Sequence, residues 1–376
     1  MTQSPAVPMT PFGTFFLPGP TEVRPEVLAA MTGPMLPHRG AKFEELFARV
    51  QAGLKPIFRT QRPVYVSSSS ATGLMEAAIR CARPGAILCL VNGAFSERFA
   101  NIAHSCGRDA TVIGGDWHRP VPLEVVEEAL KAKPYAALTV VHSETSTGTL
   151  TDIQALTQLA HRYDCAVLVD SVTGLAGVPV ETDAWELDFV LTGSQKALAL
   201  PPGLAFGVAS ERFLATAGQA EGRGLYFDLV EFEQYIHKNQ TPNTPALSLL
   251  YATAVQGERI VKETIERRWD RHTQMAEHTH SWVHELRQRV GDAFCVYAPD
   301  DARSHTVTAV SVPPSLSPDA IVKGVAKRGF VIGGGYGKLK GSTFRIGHMG
   351  DHTMEGLENV LEATAESIEE LLGSRQ

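Results

Sequence analysis

Between Val64 and Ala209, short β-prone runs alternate with helical periodicity, and this alternation constrains the fold more than any other feature of the chain. The runs are Val64 to Ser67, Ala86 to Val91, Ala137 to Val141, Ala166 to Asp170, Phe189 to Thr192 and Leu204 to Ala209. Helical spacing of apolar residues falls between several of them, over Thr72 to Ala82, Phe95 to Ser105, Leu123 to Ala132 and Ile153 to Tyr163. Strands that alternate with helices form a mostly parallel sheet with helices on both faces. The runs are nearly continuous in hydrophobicity, as a strand covered on both faces must be. The pattern therefore predicts an α/β fold.

The remainder of the chain extends this core. Its 376 residues suffice for a large domain and a smaller one. Thr14 to Gly40 is rich in Pro and Gly and reads as an irregular arm. Ala41 to Phe58 reads as a helix through Phe43, Leu46, Phe47, Val50, Leu54 and Phe58. Asp228 to Val290 is mainly helical, broken at Thr241 to Pro245. Shorter runs follow, Thr306 to Val312, Pro318 to Arg328, Phe330 to Ile332, Thr343 to Ile346 and Thr353 to Leu372, and read as a small α/β domain. The expected division is an arm over 1–20, a large domain over 21–265 and a small domain over 266–376.

Several classes are set aside. A net charge of -7 does not suit chain-wide binding to nucleic acid. No apolar run reaches the roughly 18 residues of a membrane span. Met1 to Pro11 lacks the basic start and apolar core of a secretory signal. The five cysteines show no C-x-x-C spacing, and Cys81, Cys89 and Cys165 sit in apolar stretches as core residues would. This usage predicts a reducing, cytoplasmic setting. His272, His278, His280 and His284 read as a solvated helix face, so no metal is expected. Gly333 to Lys338 lacks Walker spacing and reads as a flexible loop before Arg345.

Four segments carry chemistry, and each follows a predicted strand. Val167-Leu168-Val169-Asp170 ends an apolar strand in a carboxylate, where open α/β sheets bind ligands. Phe189 to Thr192 leads through Gly193-Ser194-Gln195 to Lys196, a lysine followed by Ala197-Leu198-Ala199-Leu200. A lysine in apolar surroundings loses its charge more readily and becomes a nucleophilic amine. Ser67 to Thr72 is a hydroxyl-rich turn opening a helix, which suits an anion as well as ordinary capping. His142 to Gly148 places polar groups after a fourth strand.

In combination these segments resemble the class V aminotransferases, fold-type I enzymes that use pyridoxal 5'-phosphate. The likeness is to the alanine–glyoxylate, serine–glyoxylate and serine–pyruvate group. It runs from Leu17-Pro18-Gly19-Pro20-Thr21 to Arg345-Ile346-Gly347-His348-Met349-Gly350. The resemblance implies a large domain with a mostly parallel seven-stranded sheet sandwiched by helices, plus a small C-terminal α/β domain. It implies that Lys196 is the Schiff-base lysine and proton carrier, and that Asp170 holds the pyridine nitrogen protonated. Ser70, Ala71, Thr72 and Gln195 would hold the phosphate, and Thr145 the ring hydroxyl. Phe95 would stack on the ring, with Val172 on its other face. Arg345 would bind the substrate carboxylate, with Arg39 and His38 near the entrance. Gln240, Thr241 and Asn243 would reach the phosphate of a neighbouring subunit, so that a homodimer shares its sites. The expected reaction moves an amino group from alanine or serine to glyoxylate or pyruvate. Segments of 2-aminoethylphosphonate–pyruvate transaminase and pyridoxamine–pyruvate aminotransferase are also similar. A cysteine desulfurase and a non-catalytic cofactor-binding protein are the remoter alternatives.

Overall fold

The computed structural model of the chain describes residues 12–291 and 293–373. Met1 to Pro11, examined above for a secretory signal, lies outside them. The strands are β1 (Phe15–Phe16), β2 (Tyr65–Ser67), β3 (Ile87–Val91), β4 (Ala110–Gly114), β5 (Ala137–Val141), β6 (Ser143–Glu144), β7 (Thr149–Leu150), β8 (Ala166–Asp170), β9 (Phe189–Gly193), β10 (Ala205–Ala209), β11 (Cys295–Val296), β12 (Val307–Ser311), β13 (Val331–Gly334) and β14 (Thr343–Gly347). The first four helices are α1 (Pro25–Ala30), α2 (Ala41–Phe58), α3 (Ala71–Cys81) and α4 (Ala94–Ser105).

Seven strands form the large sheet in the order β2-β10-β9-β8-β5-β3-β4. All run parallel except β10, which is antiparallel to both of its neighbours. Every residue of β3, β5, β9 and β10 is buried, which explains their continuous apolar composition. The helical segments between the strands supply the covering layers, and the strands and helices share one apolar core. Strand β4 escapes the sequence reading. It pairs only with β3 at the sheet edge, and Val112 is 49% exposed, so no buried alternation marks it.

The second sheet has the order β1-β13-β14-β12-β11. The arm is less irregular than its Pro and Gly content predicts. Strand β1 pairs in parallel with β13, and Phe16 is fully buried in the second core with Met275, Phe344 and Ile368. The C-terminal unit thus recruits a strand from the opposite end of the chain, because Phe16 gains a buried position at an open sheet edge. The histidine run also departs from its expected exposure. His272 is buried, accepts a hydrogen bond from the Gly350 N–H at 3.0 Å and lies 2.7 Å from the Arg268 carbonyl, so it ties its helix to the segment after β14.

Candidate active site

The carboxyl ends of β2, β3, β5, β8 and β9 open at one edge of the large sheet, because these five strands are parallel. Each hands over to a polar segment. Strand β2 leads to Ser70 and Thr72, β3 to Phe95, β5 to Glu144 and Thr145, β8 ends in Asp170, and β9 leads to Lys196.

Lys196 is 7% exposed and is followed by four buried apolar residues. Its amine donates to the Pro18 carbonyl. The arm reaches this close because residue 19 is glycine. Gly19 has φ +100°, and a Cβ there would fall 2.5 Å from the Lys196 side chain. The Thr21 hydroxyl donates to the Lys196 carbonyl at 3.0 Å and anchors the same stretch. Burial, helped by the nearby Arg345 guanidinium, lowers the amine to about 8 against the pull of Asp170 and Glu144. A sizeable fraction is then neutral near physiological pH, as a nucleophile or base requires.

Asp170 is 2% exposed, and burial pushes its carboxyl up to about 7. The Val172 N–H, 2.8 Å from Oδ1, opposes that rise, while the Glu144 charge adds to it. No cation pairs with Asp170 by direct contact among the described residues. A buried acid in this state ionises when a cationic group arrives against it.

Ser70 precedes helix α3, and its side chain makes no capping hydrogen bond to the first turn. The N–H groups of a first turn are donors without helical partners, and hydroxyls at Ser70 and Thr72 stand beside them. The Gln195 side chain packs close against Gly193 at the end of β9. These groups suit an anion.

The Phe95 ring centroid lies 6.0 Å from the Lys196 amine and stacks on Tyr336 at 5.5 Å. Arg345 donates from Nε to the Gly334 carbonyl at 2.8 Å and from a terminal nitrogen to the Thr145 carbonyl at 3.2 Å. It has no carboxylate partner in contact among the described residues, and burial lowers it to about 10. The Thr145 hydroxyl shares a hydrogen bond of 2.5 Å with Thr173. Val172, half-buried, follows Asp170 on the same turn. Tyr336 comes from the glycine-rich loop and was legible only as its aromatic member. Glu144, also missed by the sequence reading, stood in view in His142 to Gly148.

Arg39 donates to the carbonyls of Thr241 at 2.6 Å and Pro242 at 3.0 Å. Gln240 bonds to Glu44 at 2.8 Å, and the Thr241 hydroxyl donates to the Asn243 carbonyl at 2.7 Å. Among the described residues, His38, Arg39, Gln240, Thr241 and Asn243 make no hydrogen bond to Lys196, Asp170 or Arg345. A cavity of about 790 Å³ lined by Arg62, His161 and Asp188 is at the other edge of the sheet, since Asp188 precedes β9, and it contains none of the cluster.

The arrangement can hold a molecule with an electrophilic carbonyl at Lys196, a basic ring nitrogen at Asp170 and an anionic group at α3. No cluster of three or more metal-ligating side chains occurs among the described residues. The profile of the family described as Aminotransferase class-V matches residues 20–338. An uncharacterized aminotransferase of Methanocaldococcus jannaschii is 36% identical over 341 residues, covering 89% of this chain and 87% of that protein. The L-aspartate–glyoxylate aminotransferase of Paracoccus denitrificans is 31% identical, covering 92% of this chain and 88% of that protein. The crystal structure of an alanine–glyoxylate aminotransferase from Nostoc sp. superposes with a TM-score of 0.89 at 26% identity, covering 98% of each chain.

Proposed function

The chain belongs to the class V aminotransferases, and from that premise we propose that it transfers the amino group of alanine or serine to glyoxylate or pyruvate. The observation that carries this reading is the buried Lys196 amine, lowered to about 8, on the same sheet edge as the Asp170 carboxyl, which has no ion pair among the described residues. The Paracoccus denitrificans and Nostoc sp. proteins are both named for aminotransfer with glyoxylate, with aspartate in one name and alanine in the other.

Pyridoxal 5'-phosphate is the cofactor, and when bound it supplies an electron sink through its pyridine ring. Lys196 would hold the cofactor and could move a proton at the substrate Cα. Asp170 would keep a proton at the ring nitrogen. Ser70, the Ala71 N–H, Thr72 and Gln195 would bind the phosphate, and Thr145 the ring hydroxyl. Phe95 and Val172 would pack on the ring and exclude water. Arg345 orients the substrate by its carboxylate in paired hydrogen bonds. The uncapped, hydroxyl-bearing start of α3 favours a phosphate-bearing cofactor over the pyridoxamine–pyruvate reaction. Cys295 lies on the edge strand β11 of the other sheet, which weighs against a desulfurase.

We also place the active enzyme in a homodimer. The Gln240 to Asn243 turn, clamped by Arg39, would complete the phosphate site of a second copy, with His38 beside the entrance. A cytoplasmic location is part of the same reading and accords with five free cysteines.

The test is a donor panel followed by absorbance, with alanine, serine, aspartate, 2-aminoethylphosphonate and pyridoxamine, and with Lys196→Ala as control. Bleaching of the visible band by alanine or serine and its return with glyoxylate or pyruvate supports the reading. A band that ignores both donors refutes it, and response to another donor reassigns the substrate.

A further inference from the structure

Outside the Asp170 and Glu144 positions, the buried carboxylates among the described residues are matched by cations. Asp351 pairs with Arg24 and Arg268, Asp188 with Arg212, and Asp228 with Arg223. Glu144 is different. It is 0% exposed and has no ion pair by contact among the described residues. A bare buried charge is costly, so its hydrogen bonds must compensate.

Those bonds converge from two strand ends. The carboxylate accepts from the N–H groups of Phe95 at 3.1 Å and Ser96 at 2.9 Å, which open the 12-residue helix α4. It also accepts from the Ser146 N–H at 3.1 Å and from the hydroxyls of Ser146 at 2.6 Å and Ser96 at 3.1 Å. The Ser146 hydroxyl takes the Ala94 N–H at 3.0 Å. Three successive donors of the first turn are thereby held by Glu144 and Ser146, and the positive end of the helix faces the negative charge. The fit is close. A Cβ on Gly93 would fall 2.2 Å from the Glu144 Cγ, so the side chain lies on bare backbone.

We propose that Glu144 is a positioning residue, which fixes the start of α4 so that the Phe95 ring stands as the platform for the cofactor ring beside Lys196. A surface cap such as Ser or Asp would satisfy one helix end. Glu144 instead ties the segment after β3 to the segment after β5, and so sets the separation of Phe95 from Thr145. The proposal rests on the reading of Phe95 as the ring platform.

The experiment is a double-mutant cycle on binding of pyridoxal phosphate to the apoprotein, using Glu144→Gln, Phe95→Ala and the pair. Binding is followed by visible circular dichroism, whose amplitude per bound cofactor reports how the ring is held. Glu144→Gln is expected to weaken binding roughly tenfold and lower that amplitude, the size of one charge-assisted bond. In the Phe95→Ala background the same change should cost less than about twofold. Equal losses in both backgrounds overturn the proposal, because Glu144 then acts without Phe95. Unchanged binding and amplitude also overturn it. If Glu144→Gln does not yield folded protein, Ser146→Ala removes one donor to the carboxylate and runs through the same cycle. Wild-type protein that fails to bind the cofactor would sink the functional reading and this role together, whereas normal wild-type binding with additive losses sinks this role alone.

Discussion

The Lys196 amine donates to the carbonyl of Pro18, 178 residues earlier in the chain. The arm is therefore a wall of the site, and Gly19 sets its distance. Gly19→Ala would force a Cβ to within 2.5 Å of the lysine at a backbone φ of +100°. The expected result is a loss of about 1–3 kcal/mol in apoprotein stability. Catalytic efficiency should fall by a larger factor than this loss explains, since the amine is displaced. Thermal melts and kcat/KM of the variant check both.

Asp170→Asn should abolish most activity, because an amide cannot hold a proton at a ring nitrogen. Its effect on the apoprotein has a definite pH sign. The native carboxyl titrates at about 7, above its unfolded value of 3.8. Its contribution to stability is fully present below pH 3.8 and is lost as pH rises through 7. The asparagine variant loses no such term, so its unfolding free energy should gain on that of the wild type between pH 4 and pH 8, by on the order of a few kcal/mol at most, and its melting temperature should rise relative to the wild type with it. Melting curves of both apoproteins across that range decide it, and a constant gap would reject the assignment.

Arg345 is held by two carbonyl acceptors and, among the described residues, by no carboxylate, so its charge is available to a substrate anion. Arg345→Lys keeps a charge but loses the paired geometry. The expected outcome is a fall in kcat/KM of roughly 10- to 100-fold, carried mainly by KM, with cofactor binding near normal. Initial rates over a range of donor concentrations test this.

Buried histidines should make the protein sensitive to acid. His348 and His142 are lowered to about 3, and His280 and His352 to about 4, in each case chiefly by burial. Depressed folded values mean stability that is present above pH 6.5 and lost as pH falls toward 3. His348 bonds to Thr308 at 2.9 Å through Nε2. His348→Gln should make the pH dependence of stability shallower between pH 6 and 4. Denaturant melts at several pH values measure that slope.

Much of the site was legible because it follows strand ends. Asp170 ends β8, and Lys196 lies three residues beyond β9. Parallel strands put such positions on one edge whatever the loops do. Glu144 and Tyr336 were not legible as parts of one site. Nothing local in His142 to Gly148 says that its carboxylate turns to a helix start 48 residues earlier. Tyr336 meets Phe95 only because the segment after β13 reaches the start of α4.

The sequence by itself determined the alternation of strands and helices, the buried character of the strands and the order of the reactive groups, since these follow from local periodicity and composition. Only the tertiary structure decided that Phe16 crosses to the C-terminal sheet, that Gly19 lies against Lys196 and that Asp170, Lys196, Glu144 and Arg345 act on one another's charge. Those relationships depend on burial and on distances between residues far apart in sequence, and both arise when the two cores close around the same cleft.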